Sequence, residues 1–213
     1  MQIAIFLYPG VTGLDAVGPY EVLSRIPDVD LVFVGERLGE VRSDTGLLGL
    51  TVDRTLEQVP QPDVLLVPGG TGLGDLLESE SLHAWLHQVD AHSTWTTSVC
   101  TGALLLAAAG ILTGHKATTH WLAMEELEKR GVTAVRERFV QDGKYMTSAG
   151  VSAGIDMSLG LVERISGPLM PKLIQLATEY DPRPPFDAGS PETAPRRLVD
   201  LLRSRREAVL WGR

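Results

Sequence analysis

The stretch Trp95-Thr-Thr-Ser-Val-Cys100-Thr-Gly-Ala-Leu-Leu-Leu-Ala-Ala-Ala-Gly110 decides the fold of this chain. Its first residues are β-branched and favour a strand, whereas the alanines and leucines after Gly102 favour a helix. Cys100 stands at the junction, in the pattern of a nucleophile elbow, where a strained strand-to-helix turn lifts a reactive side chain clear of the sheet. The sequence therefore predicts an accessible thiol at the end of a buried strand.

This thiol is the only one in the chain, so no intrachain disulfide can engage it. At a helix N-terminus, unpaired backbone N–H groups and the helix dipole favour the thiolate, which predicts a pKa for Cys100 below the free value of about 8.5. The amide of Thr101 could then donate to an anion that develops on a bound substrate. The alternative is a buried structural cysteine, which is common among free thiols.

The totals of the sequence predict one domain spanning residues 1–213. The chain has 44% hydrophobic residues and a formal net charge of −8, which argues against a nucleic-acid surface and against adsorption to anionic membranes. Its apolar runs fall short of the roughly 20 residues of a membrane span, and the apolar N-terminus lacks a basic leader. With a single cysteine, these features indicate a cytoplasmic protein without nucleic-acid or membrane partners.

Alternating strands and helices predict a three-layer α/β sandwich with a mostly parallel central sheet, of the flavodoxin-like type. The stretch 36–54 is expected to add short antiparallel strands at the sheet edge, and Pro19 either starts the first helix or kinks one already begun at Leu14. Residues 181–213 form a proline-rich arm and a basic amphipathic helix over 196–211, expected to pack on the domain or on a second subunit. The main strands are predicted over 2–8, 29–34, 63–70, 95–99 and 144–147, and the helices over 14–26, 71–91, 103–109, 122–130, 155–165 and 172–179.

Ligands of open α/β sheets bind at the carboxyl ends of the strands, where three segments of this chain meet. These segments are the loop after the first strand, the Gly69-Gly70 turn and the Cys100 elbow. Gly69 and Gly70 could supply an amide to an oxyanion hole, or could simply form a tight turn. Asp15 could pass a proton between the thiol and a substrate, or could cap a helix, as aspartates near helix starts usually do.

Two further residues are candidates beside the thiol. Thr101 could hold a substrate atom or a water through its hydroxyl, or cap the helix, and its place directly after Cys100 excludes an adjacent Cys-His pair. His120 could polarise the thiol or line the pocket, or could be a structural histidine.

Other polar residues are interpreted as structural. His83 and His87 have the spacing of a metal-binding helix face, but no cysteine or glutamate stands in register with them, so we predict a solvated face and no metal site. For Asp156, a helix-terminus or buried hydrogen-bonding role is favoured over catalysis.

Stretches from nearly the whole chain resemble the DJ-1/PfpI superfamily, and within it the isonitrile (isocyanide) hydratases most. The discriminating pair is the Cys-Thr elbow with an aspartate at position 15, since DJ-1-like and glyoxalase-type members carry glutamate near that point and PfpI-type proteases carry histidine after the cysteine. The matching stretches are Leu14-Asp15-x-x-Gly18-Pro19, Val67-Pro-Gly-Gly-Thr-Gly72, Thr97-Ser-Val-Cys-Thr-Gly102, Ala117-Thr-Thr-His-Trp121, Gly150-x-x-Ala-Gly-Ile-Asp156 and Pro184-Pro-Phe-x-Ala-Gly-Ser-Pro191.

The resemblance implies a homodimer that hydrates R–N≡C to an N-substituted formamide without a metal or organic cofactor. It also implies that Cys100 is the nucleophile, that Asp15 is hydrogen-bonded to it, and that Thr101 lies beside the sulfur. Val151 stands where the resemblance leads us to expect isoleucine, a change that removes one methylene near the site.

Two alternative functions remain open from the sequence. One is a glyoxalase or stress-response enzyme that acts on small carbonyl compounds, as DJ-1-like members imply. The other is a ligand-sensing domain without catalysis, as in regulators that share this fold; such regulators need a further helix-turn-helix domain of roughly a hundred residues.

Overall fold

A computed structural model describes residues 1–212 and contains a seven-stranded sheet in the order β10-β11-β7-β6-β1-β2-β5. All neighbouring strands of this sheet are parallel except β10 and β11. The strands are β1 Gln2–Phe6, β2 Asp30–Gly35, β3 Gly39–Arg42, β4 Gly49–Val52, β5 Arg54–Thr55, β6 Val64–Val67, β7 Trp95–Val99, β8 Lys116–Ala117, β9 Thr133–Ala134, β10 Phe139–Asp142 and β11 Tyr145–Ser148.

The helices cover the sheet, and α1 packs against α5 while α3 packs against α4. Every residue of β6 is buried, as are the last four of β1, and burial of successive residues requires cover on both faces of the sheet. The helices are α1 Gly13–Leu23, α2 Glu80–His92, α3 Gly102–Ala108, α4 Met124–Glu128, α5 Ala153–Ser166, α6 Met170–Ala177, α7 Arg196–Ser204 and α8 Arg206–Trp211. The predicted α/β fold with a mostly parallel central sheet is confirmed.

Several predicted elements differ in their extent. The helix predicted over 71–91 is a 3₁₀ helix, Thr71–Leu76, followed by α2, because the Ser79 side chain accepts from the Leu82 amide and starts a new helix. The helix predicted over 196–211 is interrupted at Arg205, which separates α7 from α8. Pro19 lies inside α1, which already begins at Gly13.

The strands predicted over 36–54 are present, but β3 and β4 pair only with each other. The edge of the main sheet is instead β5, which pairs in parallel with β2. A second small sheet joins β8 and β9. Within residues 1–212, no helix is long and apolar enough to cross a membrane.

Candidate functional site

The Cys100 elbow is a strained turn held from both sides. Cys100 has φ 58°, a left-handed conformation that is uncommon for residues other than glycine. Its N–H donates to the carbonyl of Ser148 over 3.1 Å, and its carbonyl accepts from the hydroxyl of Thr119 over 2.8 Å. A β-carbon at Gly102 would overlap the carbonyl oxygen of Val67, so only glycine lets α3 begin this close to the sheet. These contacts fix the position of the sulfur.

Asp15 lies in the first turn of α1 and is completely buried. Its Oδ2 accepts from the amide of Gly69 over 2.9 Å, so the carboxyl group is bonded across the site and does not cap its own helix. The Cys100 side chain is hydrogen-bonded to the same carboxyl group. Oδ1 has no nitrogen or oxygen partner among the described residues. The structure thus brings the predicted thiol and carboxyl group together.

The Gly69-Gly70 turn positions the two polar side chains of the site. Gly69 donates to Asp15, and the Gly70 amide donates to Thr101 Oγ1 over 3.1 Å. Because protein atoms accept from both amides, neither amide faces the cavity as the free oxyanion donor considered from the sequence. A β-carbon at Gly69 would lie 2.5 Å from Thr101 Oγ1 and 2.9 Å from Asp15 Oδ2, so glycine is required for this close approach.

The Thr101 side chain occupies the N-cap position of α3 but makes no capping hydrogen bond. Its hydroxyl accepts from Gly70 instead, which leaves the hydroxyl proton to be donated elsewhere. Its backbone amide and that of Val151 both donate to the Cys100 sulfur. Val151 has φ 36°, so the backbone is strained on both sides of this sulfur. The two amides that converge on the reactive atom are therefore those of Thr101 and Val151.

The predicted low pKa of Cys100 is wrong in sign. Burial raises the pKa of the thiol well above its ordinary value, and the charge of Asp15 raises it further. The amides of Thr101 and Val151 lower it, but by less than burial raises it. The residue is 6% exposed, and α3 has only seven residues, so desolvation outweighs the helix terminus. The resting sulfur is consequently a thiol that is hydrogen-bonded to the carboxyl group of Asp15.

Burial also raises the pKa of Asp15, from 3.8 to about 7, despite the Gly69 amide and the Cys100 thiol, which both favour the carboxylate. A carboxyl group that titrates near neutrality can both accept and return a proton under physiological conditions. Asp15 and Cys100 thus form a buried, hydrogen-bonded pair in which the carboxyl group titrates near neutral pH and the sulfur stays a thiol.

His120 lies at the site as an uncharged ring. Burial lowers its pKa to about 4, so it is neutral at pH 7 and does not provide a positive charge next to the thiol. Its Nδ1 accepts from the Leu122 amide over 3.3 Å, which leaves the ring proton on Nε2. The ring packs on Gly150, where a β-carbon would lie 2.5 Å from Cδ2.

A cavity of about 60 Å³ opens in front of the sulfur. Val209 and Leu210 of α8 form one of its walls, and no local sequence pattern indicates that the C-terminal helix reaches the site. His120 also lines a second cavity of about 350 Å³, next to the arm residues 189–192. The remaining lining residues of the first cavity are Thr12, Gly70, Thr71, Cys100, Thr101 and His120.

The other polar residues singled out from the sequence lie outside this cavity. Asp156 accepts from the Tyr180 hydroxyl over 2.9 Å and pairs with Arg138, which is the hydrogen-bonding role favoured for it. On α2, His83 is half-buried and His87 is exposed.

The chain belongs to the DJ-1/PfpI family, whose sequence profile matches residues 1–164, as the resemblance predicted. It is 45% identical to the isonitrile hydratase of Pseudomonas putida over 205 aligned residues. The alignment covers 96% of this chain and 90% of that protein. It is also 32% identical to the HTH-type transcriptional regulator CdhR of Pseudomonas aeruginosa over 144 aligned residues. This alignment covers 67% of this chain and 42% of that protein.

Among solved structures, the chain is similar to the crystal structure of a THiJ/PfpI family protein from Pseudomonas syringae. The two superpose with a TM-score of 0.92 at 36% identity, which covers 95% of this chain and 84% of that one.

Proposed function

We propose that this protein hydrates isonitriles to N-substituted formamides, with Cys100 as the nucleophile. The observation that carries the proposal is the buried pair of Cys100 and Asp15, in which a thiol that lines a cavity is hydrogen-bonded to a carboxyl group of near-neutral pKa and accepts from two backbone amides. The identity of 45% with an isonitrile hydratase over almost the whole chain supports the same activity.

In the first step, the carboxylate of Asp15 accepts the thiol proton as the sulfur attacks the terminal carbon of R–N≡C. The C–S bond forms, and Asp15 returns the proton to that carbon, which gives the thioimidate R–N=CH–S–Cys100. The amides of Thr101 and Val151 stabilise the thiolate while it is charged. This step neither gains nor loses electrons, and it ends with Asp15 ionised again.

In the second step, Asp15 accepts a proton from a water molecule that attacks the thioimidate carbon. Asp15 passes this proton to the imine nitrogen, so the tetrahedral adduct R–NH–CH(OH)–S–Cys100 forms and Asp15 is ionised again. Breaking of the C–S bond then yields R–NH–CHO, and the hydroxyl proton returns to the sulfur through Asp15. The sum of the two steps is the addition of one water to the isonitrile, so this sequence consumes no external oxidant or reductant.

The test is to incubate the protein with methyl isonitrile and, separately, with an aryl isonitrile, and to measure the formamides by chromatography. The matched control is the same protein after alkylation with iodoacetamide, a thiol-preferring reagent for which Cys100 is the single thiol of the chain. Formamide from the unmodified protein alone is the expected result. No formamide above the control would contradict the proposal, and faster turnover of methylglyoxal than of isonitriles would favour an enzyme acting on small carbonyl compounds.

The pH profile of kcat/KM should rise with pH and reach a plateau, with a midpoint near the Asp15 pKa of about 7. The active form requires the Asp15 carboxylate, and its fraction grows as pH passes this pKa. A His120→Asn variant is the control: the pKa of His120 is about 4, so this variant should keep the same midpoint. A flat profile in the wild type, or a midpoint that disappears with His120, would contradict the role of Asp15.

We also infer a homodimer and a cytoplasmic location. The homodimer is implied by the family resemblance, and exposed leucines at and within α6, with Leu169 78% exposed and Leu176 76% exposed, offer apolar surface to a second copy. Light scattering during size-exclusion chromatography should give a particle mass twice the chain mass of 23.0 kDa. A monomer at micromolar concentration would contradict the homodimer.

A further inference from the structure

We propose that helix α8 selects substrates by size, because Val209 and Leu210 wall the Cys100 cavity and Arg206 holds that wall in place. The naming of isonitriles as the substrates rests on the proposed function. The wall itself is a property of the fold, and its effect on access to the sulfur can be measured without turnover.

The cavity is too small for most substrates while α8 stays in place. Its volume is about 60 Å³, whereas ligand pockets typically have about 300–1,000 Å³. The polar reacting groups all come from other elements, so α8 is the apolar part of the boundary. The isonitrile carbon can therefore bind at the sulfur, and any bulky R group meets α8.

The two residues of the wall differ in how deeply they are buried. Leu210 is 2% exposed and packs into the core, whereas Val209 is 38% exposed and lies at the rim. Their side chains carry no hydrogen-bonding groups, so they compete with neither the amides nor Asp15. Shortening Leu210 should widen the cavity without altering the groups that react.

Arg206 makes the side-chain hydrogen bonds that tie α8 to the rest of the domain, beside the apolar packing of Leu210 and Trp211. Its Nε donates to the carbonyl of Leu122 over 2.8 Å, and its guanidinium pairs with Glu126 over 2.9 Å. Hydrogen bonds from Lys129 and Arg206 lower the pKa of Glu126 to about 2, so this pair is charged at neutral pH. The preceding arm, residues 181–195, contains no helix or strand. Weakening the Arg206 contacts should therefore loosen the wall.

The position of α8 in the chain also indicates a role particular to this protein and its near relatives. The family profile ends at residue 164, well before α8 begins at Arg206. The residues that hold the reacting atoms lie within the profile, and the wall lies outside it. Size selection can consequently differ between family members that share the same thiol elbow.

The test compares how fast Cys100 is alkylated by a small reagent, iodoacetamide, and by a bulky one, N-(1-pyrenyl)maleimide. In Leu210→Ala and Arg206→Gln, the rate constant for the bulky reagent should rise relative to that for the small one by about 10-fold or more, the scale on which pocket size discriminates. Leu210→Phe should lower the same ratio. Leu202→Ala is the matched control, since Leu202 on α7 is 42% exposed and does not line the cavity.

Thermal unfolding of each variant shows whether it is folded, so a raised ratio cannot be mistaken for general loosening. Equal ratios in wild type, Leu210→Ala and Leu210→Phe, all folded, would overturn the proposed wall. So would a rise of the same size in Leu202→Ala.

Turnover then separates the wall from the proposed function. For methyl and cyclohexyl isonitrile, Leu210→Ala should shift kcat/KM toward the cyclohexyl compound. If the wild type hydrates neither compound but the alkylation ratios change as expected, the proposed function fails and the wall stands. If both compounds are hydrated and the ratios do not change, the wall fails and the proposed function stands.

Discussion

Cys100→Ala is expected to lower isonitrile turnover by about 10⁴-fold or more, the scale of loss when a catalytic nucleophile is removed. Cys100→Ser should be almost as inactive, because a serine hydroxyl is far less acidic than a thiol and Asp15, with a pKa of about 7, is too weak a base to ionise it. Formamide assays at equal protein concentration measure both losses. Retention of more than about a hundredth of the wild-type rate in the alanine variant would show that the thiol is not the nucleophile.

A second readout distinguishes the loss of the nucleophile from damage to the fold. The Cys100 thiol donates to Asp15 and so lowers the pKa of that carboxyl group, although burial raises it more. In Cys100→Ala this donor is absent, and the pKa of Asp15 should therefore rise above its wild-type value of about 7. Infrared or carbon NMR titration of the carboxyl group measures this change. An unchanged Asp15 pKa would show that the two groups are not coupled.

The sequence allowed the strands and helices to be predicted, and with them the segments that form the site. The reason is geometric. Parallel strands that alternate with helices end at one edge of the sheet, so the loop after β1, the Gly69 turn and the Cys100 elbow had to meet there. The local pattern also identified the elbow itself, because β-branched residues give way to alanine and leucine at Cys100.

The electrostatics could not be predicted in the same way, because they depend on burial by residues distant in sequence. A helix N-terminus lowers a thiol pKa when water is near, but Cys100 is 6% exposed and stands against a buried carboxyl group. Desolvation therefore decides the sign. The alternatives for Gly69 and Asp15 were likewise undecidable locally, since their mutual hydrogen bond spans 54 residues of sequence.

The wall from α8 is a further feature that no local pattern reveals. The sequence shows only that residues 196–211 form a basic amphipathic helix, and any apolar surface of the domain or of a second copy could cover its apolar face. The helix is broken at Arg205, and Leu210 in its second half lines a cavity whose thiol is 110 residues earlier in the chain.

Asp15→Asn is expected to lower turnover by about 10²–10⁴-fold, the usual contribution of a positioned acid–base group. The same change should lower the pKa of the Cys100 thiol, because the negative charge that disfavours the thiolate is removed. The variant would then have a more easily ionised sulfur and yet be a poorer catalyst. The pH dependence of Cys100 alkylation measures the thiol pKa, and an unchanged pKa together with normal turnover would remove Asp15 from the mechanism.

The burial of Asp15 also determines whether the Asp15→Asn variant is more or less stable than the wild type as the pH changes. The folded state raises the pKa of Asp15 from 3.8 to about 7, so it binds the proton more tightly than the unfolded chain does. The resulting stabilisation is fully present below pH 3.8 and is lost as the pH rises through about 7, by a total of about 4 kcal/mol. Asparagine does not titrate, and its side-chain oxygen can still accept from the Gly69 amide.

The free energy of unfolding of Asp15→Asn should therefore increase relative to that of the wild type between pH 4 and pH 7, and the difference should stay constant at higher pH. Urea unfolding of both proteins at several pH values measures the difference. A variant that is less stable than the wild type at pH 8 by as much as at pH 4 would mean that the carboxylate is solvated or fully paired in the folded state. In that case Asp15 would hold the turn at Gly69 together, and the protons of the reaction would have to be carried by another group.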